Sequence, residues 1–298
     1  MIDAVSKICQ ACGTVAPQAF RALDTNRHIG SESFAYFRCP KCGWLFLEPI
    51  PSNLGAYYPQ DYHTIPRSRE ELADLAVPEK YKLSIVLNHC QSGRLLEIGP
   101  SNGMFLSLAE QAGFHAEAIE MNPDCCRFLR SLGFTVYQSD DPASTLSSFG
   151  PFDVIALWHV FEHLPRPWAV LPILAKSLVG NGILVLAVPN PQSLQFRIFG
   201  KRWTHLDAPR HLHLTPISLL AKRAAECGLT LISCSYNDPG SLGWNRFGWV
   251  HSLRNLATWQ PLRVALHVIA RGAELMALPW ERTGNRGCAY TAVFRKAS

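Results

Sequence analysis

Short apolar strands alternate with helical patterns through most of this 298-residue chain, and this alternation is the feature that most restricts its fold. From about Lys82 onward, each apolar run is followed by turn residues and then by a helix. Such alternation predicts a mostly parallel sheet with helices on both faces. We expect one of these helices to end at Val179. The predicted strands are 94–98, 115–119, 135–138, 153–158, 183–190 and 229–236.

The segment LLEIGPSNGMFL (95–106) is a strand that stops at a glycine and turns at once into a helix. Its turn exposes backbone N–H groups and leaves space for a ligand against the main chain. In an open parallel sheet, ligands bind at the carboxyl ends of the strands, where the strand order reverses. The residues at these positions that we predict to bind a cofactor are Glu97, Gly99, Pro100, Ser101, Gly103, Glu120, Asp140, Trp158 and His159.

The type of cofactor follows from the acidic residues and from a missing motif. Glu120 lies about twenty positions after Gly99, the spacing at which a carboxylate accepts both hydroxyls of a ribose. The three-glycine pattern that admits a dinucleotide pyrophosphate is absent from the turn. Glu97 instead offers a carboxylate for an ammonium group beside a roomy turn. This combination predicts S-adenosylmethionine.

The chain resembles the class I S-adenosylmethionine-dependent methyltransferases, specifically the bacterial methyltransferase-domain proteins related to sugar and ubiquinone-type methyltransferases. The matching stretches are LLEIGPSNGMFL, AEAIEMNPD, FDVIALWHVFEHLPRP, GNGILVLAVPNPQS and WTHLDAPRHLHLTPISLLAKRAAECGL, with a last strand at GCAYTAVFR. The resemblance implies an α/β fold with a Rossmann-like seven-stranded sheet. It also implies that Glu97, Gly99 and Gly103 line the methionine end, Glu120 binds the ribose, Met121 borders the adenine and Asp140 reaches the adenine amino group. Ser101 stands where many relatives have glycine.

Two C-x-x-C-G elements near the amino terminus predict a metal site. The spacing is typical of a tetrahedral Cys₄ zinc ribbon with a structural Zn²⁺ and no open coordination position. We therefore predict Cys9, Cys12, Cys39 and Cys42 as the ligands. Some relatives that act on nucleotide-linked sugars carry such a module followed by a tyrosine-rich stretch, which AYYPQDYH resembles. Tyr57, Tyr58 and Tyr62 are either substrate-binding residues of a lid or packing residues of a connector.

Histidines after the fourth and fifth strands are the candidate catalytic residues. An activated methyl group needs mainly an aligned acceptor, and a base helps when the acceptor is a hydroxyl. Histidine titrates near neutral pH, so His159, His163 and His205 are candidate bases. Arg210 and His211 are predicted to bind the substrate, Arg210 by clamping a phosphate or carboxylate. The alternative is that these side chains only cap helices or hold loops together.

These features predict five parts: a zinc ribbon (1–55), a linker or lid with the first helix (56–90), a cofactor-binding core (91–240), a helical insertion (241–286) and the last core strand (287–298). The insertion is rich in tryptophan and carries apolar residues at near-helical spacing. The insertion either packs in the core or forms an oligomer interface, or it covers the acceptor or contacts a membrane peripherally.

The expected acceptor is a small molecule such as a sugar, a glycolipid precursor or another hydroxyl compound. The net charge of +5 is spread along the chain without a dense basic run, so the nucleic-acid signal is weak. An RNA methyltransferase with a zinc module and a non-catalytic cofactor-fold protein remain as alternatives. MIDAVSKICQ lacks the pattern of a signal peptide, so we expect a cytoplasmic protein.

Overall fold

The computed structural model describes residues 5–59 and 64–298, which form two β-sheets and ten α-helices within those ranges. The strands are β1 (Ser6–Ile8), β2 (Val15–Leu23), β3 (Ser33–Arg38), β4 (Leu45–Leu47), β5 (Arg94–Ile98), β6 (His115–Glu120), β7 (Thr135–Gln138), β8 (Phe152–Trp158), β9 (Leu178–Pro189), β10 (His213–Leu214), β11 (Leu229–Ser235) and β12 (Ala289–Lys296). The helices are α1 (Arg69–Ala76), α2 (Lys80–Leu87), α3 (Met104–Gln111), α4 (Pro123–Ser131), α5 (Pro142–Leu146), α6 (Pro167–Lys176), α7 (Leu194–Phe199), α8 (Ile217–Ala225), α9 (Pro239–Arg254) and α10 (Gln260–Glu281).

The larger sheet has seven strands in the order β11-β12-β9-β8-β5-β6-β7. Strands β5, β6, β7, β8 and β9 all run parallel to one another. Strand β12 lies between β9 and β11 and is antiparallel to both. From β5 the chain continues outward to β6 and β7 and then returns to β8 on the other side of β5. The strand order therefore reverses between β5 and β8, which places a ligand crevice there. The predicted seven-stranded Rossmann-like sheet is confirmed.

Local sequence explains how the helices beside this crevice begin. Asn122 accepts hydrogen bonds from the backbone N–H groups of Asp124 and Cys125, and Pro123 fills the first position of α4. Gly103 precedes α3 with a φ of 86°. Both helices bury apolar side chains against the sheet, as hydrophobic residues of a two-sided α/β core must.

Two predicted boundaries are wrong: the end of α6 and the start of β9, which begins at Leu178 and not at residue 183. Helix α6 ends at Lys176 and not at Val179. The reason is that the backbone N–H of Phe152 donates to Ser177 O at 2.8 Å, and Leu178 already pairs with Phe152 as the first residue of β9. Glycines 180 and 182, which suggest a turn before the strand, lie inside β9, where the register between β8 and β9 shifts.

The smaller sheet is antiparallel and has the order β1-β2-β3-β4-β10. Its first four strands come from the amino-terminal segment, whereas β10 comes from the segment between β9 and α8. Phe46 of β4 pairs with His213, and Leu45 pairs with Leu214. The amino-terminal module is thus joined to the larger domain by a shared sheet.

Helices α9 and α10 lie between β11 and β12 in sequence and pack against each other. Helix α9 buries Trp249 and Val250, whereas α10 leaves Val268 and Met276 more than half exposed. Within the described residues, no helix combines the length and the apolar character needed to cross a bilayer.

Candidate functional site

The turn after β5 is built so that the main chain itself forms the floor of a site. Gly99 has a φ of 70°, and a Cβ there would lie 2.6 Å from Val160 Cγ2. Gly103 is also left-handed, and a Cβ there would collide with Leu129. Ser101 adopts a φ of 54°, the conformation in which glycine is favoured. The turn therefore keeps the left-handed geometry despite the serine.

Glu120 ends β6 and reaches across to this turn. Its Oε2 accepts the backbone N–H of Ser101 at 2.9 Å, and its Oε1 accepts that of Asn122 at 2.7 Å. Strands β5 and β6 are hydrogen-bonded neighbours, and Gly99 N donates to Ile119 O at 2.8 Å. Each carboxylate oxygen keeps a lone pair for a further donor. The arrangement suits a pair of ribose hydroxyls.

Glu97 is 3% exposed at the end of β5, and its Oε2 has no hydrogen-bond partner among the described residues. Burial raises its pKa to about 8, against the opposing effect of the nearby Lys82 ammonium. The neighbouring carboxylates of Glu79 and Glu120 raise this pKa further. An orphaned buried carboxylate beside a second carboxylate favours a cationic ligand. The S-adenosylmethionine ammonium has the required charge.

The remaining predicted cofactor residues differ in their exposure to solvent. Met121 is 56% exposed at the rim, and Asp140 is exposed after β7. Asp141 caps α5 through the backbone N–H groups of residues 143 and 144, which leaves Asp140 for a ligand. Pro100 is buried in the turn, and Trp158 is a core residue whose ring lies 5.2 Å from that of Phe105.

A cavity of about 450 Å³ lies at the carboxyl ends of β8 and β9. Five histidines from three segments meet in it, two after β8, two after β9 and one from α9, together with residues of the amino-terminal module. We refer to it as the histidine cavity. Its lining residues are Asn26, Arg27, His159, Glu162, His163, Pro189, Thr204, His205, Asp207, His211, Trp244, Phe247, His251, Cys288 and Ala289. Val160, which packs on Gly99, directly follows His159 and so joins the two sites.

Glu162 is the acidic centre of the histidine cavity. It is 1% exposed, and neither carboxylate oxygen has a hydrogen-bond partner among the described residues. His159 Nδ1 lies 3.5 Å from Glu162 Oε1, and His211 Nε2 lies 3.9 Å from it. Burial raises the pKa of Glu162, but the facing histidines outweigh this effect and lower it to about 2. Glu162 therefore carries a negative charge that orients the surrounding rings.

Backbone carbonyls fix the tautomers of three histidines, because a carbonyl only accepts. His163 Nδ1 donates to Arg210 O at 2.9 Å, His211 Nδ1 donates to His205 O at 2.8 Å, and His205 Nε2 donates to Trp244 O at 2.9 Å. Burial lowers the pKa of His163 to about 4 and that of His205 to about 3. Both rings are neutral at pH 7 and weak as bases. Ligand atoms of Glu162, His163 and His211 lie within 4.8 Å of one another, close enough to share a cation.

Arg210 is fully buried and pairs with two carboxylates. Its guanidinium donates to Asp24 at 2.8 and 3.2 Å, to Asp207 at 2.7 and 2.9 Å, and to Tyr57 O at 3.3 Å. These bonds occupy all five N–H donors of the side chain. The geometry favours a positioning role for Arg210 over the direct phosphate clamp that its sequence context predicts.

The three predicted substrate tyrosines have separate positions. Tyr57 is buried, and its hydroxyl donates to Glu32 Oε2 at 3.0 Å, so it packs the amino-terminal module. The Tyr58 hydroxyl lies 3.0 Å from His163 Nδ1 at the edge of the histidine cavity. Tyr62 lies outside the described residues.

The four predicted zinc ligands come together. Their Sγ atoms all lie within 4.8 Å of one another, with 3.6 Å between Cys9 and Cys42 and 3.4 Å between Cys12 and Cys39. A tetrahedral Zn²⁺ with Zn–S bonds of about 2.3 Å requires sulfur separations of this size. The two following glycines, 13 and 43, have φ values of 72° and 73° and allow each knuckle to close. The donor set fits a structural Zn²⁺.

Sequence reasoning missed several residues of the site. Asn26 and Arg27 line the histidine cavity from the loop between β2 and β3, and Lys82 acts on Glu97 from α2. These residues belong to no motif, and only the tertiary fold brings them to the site. His251 gave a weak signal, since it follows Trp244 and Phe247 on one face of α9 at helical spacing.

A family model described as a methyltransferase domain matches residues 67–234, more than half of the chain. The chain belongs to this methyltransferase family. Among curated relatives of this methyltransferase, the ubiquinone biosynthesis O-methyltransferase of Xanthomonas oryzae pv. oryzae is 25% identical over 162 residues, covering 49% of this chain and 67% of the relative. The protein-L-isoaspartate O-methyltransferase of Chlorobaculum parvum is 26% identical over 149 residues, covering 48% of this chain and 64% of the relative.

Solved structures support the same fold for this methyltransferase. An S-adenosylmethionine-dependent methyltransferase from Archaeoglobus fulgidus matches with a TM-score of 0.50 and 19% identity, over 74% of this chain and 94% of that one. A putative sarcosine dimethylglycine methyltransferase from Galdieria sulphuraria matches with a TM-score of 0.52 and 15% identity, over 83% and 99% of the two chains. The predicted class of enzyme, an S-adenosylmethionine-dependent methyltransferase, is thus confirmed.

Proposed function

We propose that this methyltransferase transfers the methyl group of S-adenosylmethionine to a hydroxyl of a small molecule held in the histidine cavity. The observation that carries the proposal is the position of this cavity relative to the turn of residues 99–103, which we call the cofactor turn. His159 lines the cavity, and the next residue, Val160, packs on Gly99 of the cofactor turn. The O-methyltransferases among its relatives support an oxygen acceptor. A sugar, a glycolipid precursor or a related hydroxyl compound has the size and polarity for a cavity of about 450 Å³.

Glu97, Glu120 and the turn from Gly99 to Gly103 would hold the cofactor. When bound, it supplies an already activated methyl group on a sulfonium. Glu97 would face the ammonium group, since its buried carboxylate lacks a partner among the described residues. Glu120 would accept the ribose hydroxyls while keeping its bonds to the backbone of Ser101 and Asn122. Met121 and Asp140 would border the adenine.

His159 is the best candidate for the base in this proposal. Glu162 lies against its Nδ1, which orients the ring and leaves Nε2 to accept the hydroxyl proton as the oxygen–methyl bond forms. His163 and His205 are weaker candidates because burial lowers the pKa of each ring well below 7. They and His211 would instead shape the cavity and bind the acceptor.

Transfer of a labelled methyl group into small-molecule extracts tests the proposal. We expect label in a low-molecular-weight hydroxyl compound with the wild-type protein, and a large loss of turnover with His159→Ala at unchanged cofactor affinity. Binding of S-adenosylmethionine without any transfer would favour a non-catalytic cofactor-fold protein. Label in RNA, lost on ribonuclease treatment, would favour the RNA methyltransferase alternative.

We also propose a structural Zn²⁺ held by Cys9, Cys12, Cys39 and Cys42. All four coordination positions would be filled by thiolates, so the ion would stabilise the ribbon without taking part in the transfer. Elemental analysis of the purified protein should find one zinc per chain. Zinc content that survives Cys12→Ser and Cys39→Ser together would exclude this site.

A peripheral membrane contact through α10 is a third proposal, favoured by its exposed apolar side chains. Val264, Val268 and Met276 are each at least 65% exposed, and Arg263 and Arg271 lie among them in sequence. An amphipathic helix of this composition suits an anionic interface. Co-sedimentation with anionic vesicles should be reduced by Val268→Glu. Equal recovery of the wild-type protein with and without vesicles would exclude the contact.

A further inference from the structure

A buried carboxylate lies in the wall of the histidine cavity without a hydrogen-bond donor. Glu162 is 1% exposed, and neither of its carboxylate oxygens has a hydrogen-bond partner among the described residues. Removing a carboxylate from water in this way is costly unless a donor or a cation compensates for it. The residue lines the cavity, so a ligand can reach the carboxylate from there.

Two imidazoles beside this carboxylate present lone pairs to the cavity, because their protons are used elsewhere. His163 Nδ1 donates to Arg210 O at 2.9 Å, and His211 Nδ1 donates to His205 O at 2.8 Å. In a neutral imidazole the second ring nitrogen is then an acceptor. His211 Nε2 lies 3.9 Å from Glu162 Oε1. Two acceptors that face each other repel unless a positive charge lies between them.

The spacing of these groups suits a metal ion better than a shared proton. The separation of 3.9 Å between His211 Nε2 and Glu162 Oε1 is longer than a hydrogen bond. Metal–ligand bonds of about 2.0–2.2 Å place two ligand atoms of one ion up to about 4 Å apart. One ligand atom each from Glu162, His163 and His211 lie within 4.8 Å of one another. Two imidazoles and one carboxylate are a donor set that divalent transition metals prefer.

The backbone holds the two ligand segments together. Glu162 and His163 are neighbours in the short helical turn 161–163, whereas His211 belongs to the segment after β9. Leu212 N donates to Glu162 O at 2.9 Å, and Arg210 O accepts from the His163 ring. These bonds lie on both sides of His211 in sequence, so the three side chains are positioned before a ligand arrives.

We propose that Glu162, His163 and His211 bind a divalent transition-metal ion such as Zn²⁺ in the histidine cavity, in addition to the ion of the ribbon. The site stands on the geometry of these three side chains, whereas its part in the reaction rests on the proposed function. Three protein ligands leave an open position, and a divalent cation stabilises the anionic form of a nearby hydroxyl. The acceptor proton would pass to His159 Nε2. The acceptor oxygen would bond to the methyl carbon, and the sulfur–carbon bond would break with its electron pair left on sulfur.

The first test measures the binding of Zn²⁺ alone to the full-length protein, purified with its ribbon zinc in place. We expect isothermal titration to show one further Zn²⁺ per chain. Loss of a group that only orients a metal ligand weakens binding by about 10- to 100-fold, so Glu162→Gln and His211→Ala should each weaken it by at least this factor. Equal affinity of these variants for S-adenosylmethionine would show that they are folded.

Glu97→Gln is the matched control for the binding test. Glu97 is also a buried carboxylate with an oxygen that lacks a partner among the described residues, but it does not line the histidine cavity. This variant should bind the further Zn²⁺ with wild-type affinity.

The second test uses transfer of a labelled methyl group into small-molecule extracts. The protein is dialysed against a chelator until elemental analysis finds only one zinc per chain. We expect the initial rate to fall by at least about tenfold and to recover when Zn²⁺ is added, whereas Glu162→Gln should not respond to Zn²⁺.

Three results would overturn this inference and leave the proposed methyl transfer intact: no further ion in the wild-type protein, wild-type Zn²⁺ affinity in Glu162→Gln, or a rate that does not depend on the further ion. Zn²⁺ binding that is lost in Glu162→Gln, without labelled product from any preparation, would support the metal site and overturn the proposed function.

Discussion

The cofactor turn and the histidine cavity are neighbours, yet they are built in opposite ways. The turn consists of one continuous segment after β5 with a single acidic residue from β6 beside it. The cavity gathers side chains from the loop between β2 and β3, from the segments after β8 and β9, from the start of β12 and from α9. The first is a local motif supported by the sheet. The second is assembled only when the whole chain has folded.

Under the proposed function, this difference separates cofactor binding at the turn from acceptor binding in the cavity. A Cβ at Gly99 would lie 2.6 Å from Val160 and one at Gly103 would collide with Leu129, so the turn tolerates little change. Apart from the strand ends at Pro189 and Ala289, the walls of the cavity consist of loops and one helix, which can vary without disturbing the sheet. Changes in the cavity should therefore alter turnover and acceptor recognition, and changes at the turn should alter cofactor affinity.

The largest effect that would test this separation is expected for His159→Ala. Loss of a positioned base lowers turnover by about 10²- to 10⁴-fold, whereas S-adenosylmethionine affinity should stay within about twofold. Steady-state kinetics and isothermal titration calorimetry on the same preparation measure the two quantities. His115→Ala is the control, since His115 is exposed at the amino end of β6. A wild-type rate for His159→Ala would remove this residue from the mechanism.

What could be predicted from the sequence also depends on whether a feature is local or is assembled from distant segments. The bounds of β5 and β7 and the strand-end positions of Glu97 and Glu120 could be predicted, because each depends on neighbouring residues in the chain. The end of α6 could not, since the pairing of Leu178 with Phe152 from β8 decides it. The sequence also gives no sign that Arg210 pairs with Asp24, because Asp24 lies far away in sequence, in the loop after β2. Both features depend on contacts between residues that are far apart in sequence, and a local sequence pattern does not reveal such contacts.

The next effect is expected at Glu120, on the cofactor side. Glu120→Ala removes the acceptor for the ribose hydroxyls and leaves the backbone N–H groups of Ser101 and Asn122 without their carboxylate. Loss of one charge-assisted hydrogen bond costs about 1.5–3 kcal/mol, so the Kd for S-adenosylmethionine should rise by at least about 10- to 100-fold. Glu110→Gln on the outer face of α3 is the control. If only turnover changed, the division between the two sites would be wrong.

Glu97 should make cofactor binding depend on pH. Burial raises its pKa to about 8 in the unliganded protein, but a bound ammonium favours the ionised form and lowers this pKa. Binding must therefore release a proton below pH 8, and affinity should fall by about tenfold from pH 7 to pH 6, where the ligand ammonium stays charged. Calorimetry in buffers of different ionisation enthalpy measures the released proton. Glu97→Gln should bind more weakly at pH 7, and its affinity should not change over this range.

The smallest expected effect concerns Trp244, which covers the histidine cavity from α9. Its ring lies 4.9 Å from that of His159 and 5.4 Å from that of His205, and such aromatic contacts contribute about 0.5–1.5 kcal/mol. Trp244→Ala should therefore raise the KM for the acceptor by about 2- to 10-fold and leave the Kd for S-adenosylmethionine unchanged. Trp259→Ala is the matched control, because Trp259 is 68% exposed and does not line the cavity. A larger loss of cofactor affinity than of acceptor affinity would show that α9 closes over the cofactor turn and that the two sites share one cover.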